Sequence, residues 1–368
     1  MVTPMTPDRP REVSRLFDRR SLLRRGGTFA VACASARLVP GVTREARAAV
    51  PDDAASAEDL IGAISYYVTD SQNTLLDVAR RHDLGILEIS AANPGVDAWV
   101  PGEERAILLP TAHLLPEVPR EGIVVNLAEL RLYLFRGESV ETHAIGIGRD
   151  GFATPMGPTT VVRKTENPVW RPTAATRIDK PELPASVPAG PDNPLGAHAI
   201  YLGWPTYLIH GTNKPYGVGR RVSRGCIRMY PEAVADLFTK VQPSMPVRVI
   251  AEPIKLGWSN GDLYLEAHPD IAQLDQLEDS YAFTPHPTSR PPESFRRRLL
   301  DKAGDAAGRI DWDIVDAELT DRRGIPVRIT RAATATTIAD NEAKAGDPGT
   351  PGRNPGKPAI SRPFTGLY

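Results

Sequence analysis

Residues 210–228 read H-G-T-N-K-P-Y-G-V-G-R-R-V-S-R-G-C-I-R, and the two reactive side chains of this run, His210 and Cys226, stand sixteen positions apart. Gly211, Gly217, Gly219 and Gly225 let the backbone bend sharply and come close to a ligand. Arg220, Arg221, Arg224 and Arg228, with Lys214, predict an electropositive neighbourhood that favours a thiolate and welcomes a carboxylate. A free thiol is barely ionised near neutral pH, so a histidine base is the expected companion of a cysteine nucleophile.

Working outward, strands expected over 199–201 and 207–209 lead straight into His210 and give it a rigid mount. Pro231 suits the first position of a helix over 231–238, and 247–250 reads as a closing strand. Upstream, alternating apolar residues predict strands over 123–126, 130–135, 141–147 and 159–163. Gly146-x-Gly148 is no nucleotide fingerprint, because Pro155 and Pro158 oppose a following helix. The proline-rich segment 168–194 predicts a substrate-lining loop without regular elements.

Residues 66–110 predict a strand (66–69), a helix capped by Thr74, a second helix over 86–92 and a return strand over 107–109. Beyond Trp258, a strand over 263–266, helices over 293–303 and 310–319 and a strand over 326–329 make a C-terminal α/β extension spanning 253–335. Residues 336–368 are small, polar and rich in Pro and Gly, and predict a disordered tail.

The chain has 368 residues, with 36 prolines and 30 glycines, and its 44 basic and 45 acidic residues leave a charge of -1 that gives no reason to expect nucleic acid. Neither C-x-x-C nor H-E-x-x-H occurs, so no metal and no cofactor is expected. Seven arginines against three acids fill residues 1–25, and D-R-R-S-L-L-R at 18–24 is similar to a twin-arginine export signal. Cleavage after A-R-A at 46–48 removes Cys33 with an export signal spanning 1–48 and leaves Cys226 as the single thiol of an exported, periplasmic protein.

The region 120–252 resembles the catalytic domain of the L,D-transpeptidases (YkuD, or ErfK/YbiS/YcfS/YnhG, type) in His210-Gly211, the step to the nucleophile and Ser223-x-Gly225-Cys226-x-Arg228. Arg224 departs from the histidine common there. Residues 62–112 resemble a LysM module in Asp70, Asn73-Thr74, Ala92-Asn93-Pro94 and Pro101-Gly102, with Ser71-Gln72-Asn73 replacing the usual glycine. The fold so implied is mainly β: a sandwich-like catalytic domain, a small βααβ module and the extension.

The resemblance implies a cysteine acyltransferase that cleaves the diaminopimelate–D-alanine bond of peptidoglycan tetrapeptide stems. The acyl group passes to an amine, giving a 3-3 cross-link or attaching a protein to the wall. Cys226 is then the nucleophile and His210 the base, oriented by a backbone carbonyl near Gly211, with the Cys226 amide as the oxyanion donor and that of Gly225 as a candidate second. Arg228 binds a substrate carboxylate, Ser223 orders the turn, and Arg224, Tyr201, Asn213, Lys214 and Tyr216 form pocket walls. Asp70, Asn73, Thr74, Asn93 and Pro94 are the glycan-binding candidates. The implied partners are stem peptides and glycan strands of peptidoglycan, with a wall-anchored outer-membrane protein as a further acceptor. An L,D-carboxypeptidase, a hydrolase of the lipoprotein–peptidoglycan link and a non-catalytic wall-binding protein remain alternatives.

Overall fold

The computed structural model describes residues 58–285 and 291–332; the export-signal and tail expectations lie outside the described residues. The N-terminal part runs β1 (Leu60–Gly62), β2 (Ser65–Val68), α1 (Leu75–Arg81), α2 (Ile86–Ala92), β3 (Ala106–Leu109) and β4 (Ala112–Leu114). Thr74 starts α1 with a capping box, its hydroxyl accepting from the Asp77 N–H at 3.2 Å while the Asp77 carboxylate accepts from the Thr74 N–H. The helices bury Leu75, Val78, Ile86 and Ile89 against the β2–β3 pair. This βααβ unit does not stand apart, since its apolar residues merge with those of the following sheet in one cluster. A buried Arg131–Glu88 ion pair at 2.7 Å crosses the same junction.

The central sheet comprises β5 (Gly122–Asn126), β6 (Arg131–Arg136), β7 (Ser139–Gly148), β8 (Gly157–Glu166), β9 (His198–Leu202), β10 (Leu208–His210), β11 (Arg221–Ser223), β12 (Ile227–Met229) and β13 (Pro246–Ile250). Its order is β11-β7-β12-β10-β9-β8-β13-β5-β6, and β7 pairs with β6 as well. Both ten-residue strands serve two groups of neighbours. β7 pairs with β6 through its first half and with β12 and β11 through its second, while β8 passes from β13 to β9. Strands that switch partners in this way fold one ladder over a shared core.

Two short helices flank the site. Residues 168–194 are more regular than expected: Thr173 caps α3 (Ala174–Asp179), and Trp170 bridges Val187. Helix α4 (Pro231–Lys240) begins with proline at its first turn, where no amide partner is lost, and buries Ala233, Val234 and Leu237.

The extension contains β14 (Ile254–Ser259), β15 (Asp262–Ala267), α5 (Ile271–Ser280), α6 (Glu293–Ala303), α7 (Trp312–Asp321) and β16 (Val327–Arg328); Leu256, Leu265, Leu299, Val315 and Ile329 form its own core, while α5 packs through Leu274 and Leu277 into the larger cluster. Strand β14 and helix α5 are additions to the sequence reading. At the join with the central sheet, the fully buried Lys255 ammonium meets Glu129 at 2.6 Å, Glu266 at 3.1 Å, Tyr133 at 3.1 Å and the Leu114 carbonyl at 2.7 Å. His113, Glu129 and Glu266 are close enough together to share an ion, and the two carboxylates already face two cations, this ammonium and His268, whose Nε2 lies 2.9 Å from Glu266 and 3.4 Å from Glu129.

Candidate active site

His210 ends β10, and the parallel pairing of β10 with β12 sets Ile209 against Ile227 and His210 against Arg228. Alternation along the strands therefore turns Cys226, His210 and Arg228 to one face. All three line a cavity of about 730 Å³, with Phe152, Arg163, Trp170, Tyr201, Tyr207 and Arg224 in its walls.

The turn that carries the thiol is held by hydroxyls. Ser223 Oγ donates to the Cys226 carbonyl at 2.6 Å and accepts from the Gly225 N–H at 3.1 Å. Thr154 Oγ1 donates to the Gly225 carbonyl at 2.9 Å and accepts from the Gly148 N–H at 3.1 Å. Gly225 sits at φ +101°, where a Cβ would stand 2.7 Å from the Tyr207 ring, so no other residue fits. With its amide taken by Ser223, Gly225 is not the free oxyanion donor expected of it; the Cys226 amide makes no hydrogen bond among the described residues.

His210 Nδ1 lies 2.5 Å from the Gly211 carbonyl. A carbonyl only accepts, so Nδ1 carries the proton and Nε2 keeps its lone pair. Behind this contact a Cβ on Gly211 would come within 3.1 Å of Val234 on α4. Burial, then the nearby Arg228 cation, push the imidazole down to about 4 against a weaker opposing effect of the Gly211 bond, so it is neutral at pH 7.

The thiol differs from expectation. Burial pushes it above its ordinary value, against the opposing Leu208 N–H and Arg228, so the resting form is the thiol. Its Sγ–H points to the Thr206 carbonyl at 3.5 Å, with Thr206 held at φ +71°, an uncommon conformation for a β-branched residue. The expected run of cations is also largely neutralised. Arg220 Nε meets Glu278 at 2.8 Å, Arg221 pairs with Asp275, and Arg224 pairs with Asp179 of α3. Arg228 has no ion pair among the described residues, and its Nε is buried without a partner.

The other candidates scatter. Tyr201 lies in the cavity wall beneath the Arg163 guanidinium, 3.3 Å from its ring centre. Asn213 and Lys214 line an adjoining chamber. Tyr216 is outside both, exposed beside Trp99 and α1, which corrects its assignment to the pocket wall. In the βααβ unit, Asp70 accepts from the Gln72 N–H, and Asn73 accepts from the Tyr67 hydroxyl. Thr74 is the helix cap. Asn93 is buried, and its amide is committed to the fold through bonds to Ile89 and Leu108; Pro94 lines a small cavity of about 180 Å³. Thr154, Thr206 and Trp170 were missed as site residues: only Thr154 had a local signal, in T-P-M-G-P beside the glycines.

A model of the L,D-transpeptidase catalytic domain matches residues 120–249. The chain is 38% identical to "Probable L,D-transpeptidase YcfS" of Escherichia coli over 284 residues, 74% of this chain and 85% of that one. It is 38% identical to "Probable L,D-transpeptidase ErfK/SrfK" of Salmonella typhimurium over 281 residues, 74% of this chain and 88% of that one. Among solved structures, an L,D-transpeptidase from Mycobacterium smegmatis aligns at 21% identity and a TM-score of 0.31, covering 38% of this chain and 62% of that chain, too distant a likeness to add weight.

Proposed function

The chain belongs to the L,D-transpeptidase family, and on that premise we propose that Cys226 takes an acyl group from a peptidoglycan tetrapeptide stem and passes it to an amine. One observation supports the reading most: the Nδ1–Gly211 bond leaves His210 Nε2 unprotonated on the face that Cys226 shares, in an open cavity. When substrate displaces the Thr206 contact, the thiol proton passes to Nε2 as sulfur attacks the diaminopimelate carbonyl. In this reading the Cys226 N–H receives the developing oxyanion, a contact worth about 3 kcal/mol in comparable sites. Imidazolium then protonates the departing D-alanine amine, and the thioester awaits the second substrate. Arg228, unpaired among the described residues, holds a stem carboxylate through its planar guanidinium.

The glycan-binding role of 62–112 and a periplasmic site of action belong to the same proposal. Among the described residues no helix is long and apolar enough to cross a membrane. The test is release of D-alanine from tetrapeptide stems by the full chain, with product masses: an amine acceptor leaves a cross-link and water a tripeptide. Wild type is expected to release D-alanine and Cys226→Ala to lose more than about a thousandfold of that rate. No release above background by wild type would support a non-catalytic wall-binding protein instead, and equal release by both would exclude Cys226 as the nucleophile.

A further inference from the structure

Strand β7 sets Glu141 and His143 on one face, two positions apart, and α4 brings Asp236 beside them. One ring nitrogen of His143 and one carboxylate oxygen from each acid lie within 4.8 Å of one another. His143 is buried, and its Nδ1 donates to the Asp83 carboxylate at 2.6 Å, while the other oxygen of Asp83 accepts from the Ala144 N–H at 3.3 Å. The lone pair of Nε2 remains, sealed from solvent and without a hydrogen-bond partner among the described residues. A buried polar atom in that state calls for a ligand. The two carboxylates already gather around a cation: the Lys240 ammonium bonds to both, and Arg136 takes the second oxygen of Glu141 at 2.6 Å.

We propose that Glu141, His143 and Asp236 form a zinc site, Zn²⁺ entering in exchange for the Lys240 ammonium and water completing the coordination. Imidazole with two carboxylates is a donor set that zinc accepts, whereas calcium and magnesium take oxygen ligands. Asp83 on Nδ1 supplies the carboxylate that fixes the ring and raises its basicity in such sites. An ion about 2.0 Å from each ligand needs them about 3.3 Å apart, a difference within reach of the exposed Asp236 side chain. No C-x-x-C or H-E-x-x-H announces the site, because a Glu-x-His pair on a strand and an acid on a distant helix make no local motif. The filled site ties β7 to α4, and α4 carries Val234 behind Gly211, whose carbonyl orients His210. Through Asp83 it also holds the turn between α1 and α2 against the sheet. The inference stands apart from the acyl-enzyme reading of Cys226.

The test uses the full chain with Cys33→Ala and Cys226→Ala, so that no thiol competes for the metal, stripped by a chelator and titrated calorimetrically with Zn²⁺ or Ca²⁺. This parent is expected to bind one Zn²⁺, at least about tenfold more tightly than Ca²⁺. Its melting temperature should rise by about 5 °C when Zn²⁺ stands about a hundredfold above the dissociation constant. His143→Gln and Asp236→Asn are each expected to weaken Zn²⁺ binding by about tenfold or more, and Asp83→Asn by about tenfold. Lys240→Gln should tighten it, since the competing ammonium is gone. Asp236 is exposed, so Asp236→Asn keeps the fold even where His143→Gln does not. No Zn²⁺ binding by the parent, binding undiminished in Asp236→Asn, or binding no tighter in Lys240→Gln overturns the proposal. Equal affinity for Ca²⁺ would reduce the site to an acidic patch and overturns it as well.

Discussion

At the scale of single residues, the site works from an uncharged pair. Burial acts on both partners, lowering the imidazole and raising the thiol, so between them lies a broad neutral range. The acid limb of kcat/KM for the free enzyme is therefore expected near pH 4, well below the ~6.5 of an unperturbed histidine. Arg228→Gln removes one of the two downward causes, so the limb should move to higher pH as catalysis falls. A pH–rate profile showing both proteins with limbs at 6.5 would contradict the placement of His210. The same shift has a stability consequence. Because the folded imidazole titrates below its unfolded value, its favourable contribution is complete above pH ~6.5 and is lost as pH falls towards 4, on the order of 3 kcal/mol. Gly225→Ala forces a Cβ to 2.7 Å from the Tyr207 ring in a left-handed backbone, and should lower stability by about 2 kcal/mol or more, measured by urea unfolding.

At the scale of elements, helix α5 steadies the segment before the nucleophile. Glu278 accepts from Arg220 Nε at 2.8 Å and from the Arg221 N–H at 2.7 Å. Glu278→Gln should speed amide hydrogen exchange at 220–226 and cost about 1–3 kcal/mol, with α4 unaffected; unchanged exchange there would show that α5 plays no such part. The sequence made some elements plain. Glu293–Ala303 matches its expected bounds because prolines precede it and Gly304 follows, and Ile86–Ala92 matches because Gly85 and Asn93 bracket it. Strand β14 was hidden by Lys255 and Gly257, a charge and an apparent breaker in what proves a buried strand. Their reasons are distant in sequence: Lys255 meets Glu129, and a Cβ on Gly257 would stand 2.6 Å from the side chain of Asp59. Distance in sequence also explains the misread electrostatics, since 210–228 displays its arginines but not Asp179, Asp275 and Glu278.

At the scale of the whole molecule, the βααβ unit, the central sheet and the extension meet around buried charges. Removing the Lys255 ammonium leaves Glu129 and Glu266 facing each other without their main cation, so Lys255→Met should cost about 3–5 kcal/mol in urea unfolding. His268 is held at about 9 by Glu129 and Glu266 in spite of its burial. Its folded value exceeds the unfolded ~6.5, so its contribution is complete below pH 6.5 and disappears as pH rises through 9. The melting temperature should accordingly fall between pH 7 and 10, and fall less in His268→Gln.

The central claim is that the sulfur of Cys226, with its proton removed by His210, carries the acyl group. It is tested most directly by the intact mass of the protein quenched in acid during turnover of a tetrapeptide stem. The account predicts that wild type gains the mass of the stem less D-alanine, mapped to Cys226, and that His210→Ala and Cys226→Ala gain nothing on that timescale. An adduct mapped to another residue, or D-alanine release that persists in Cys226→Ala, would contradict it.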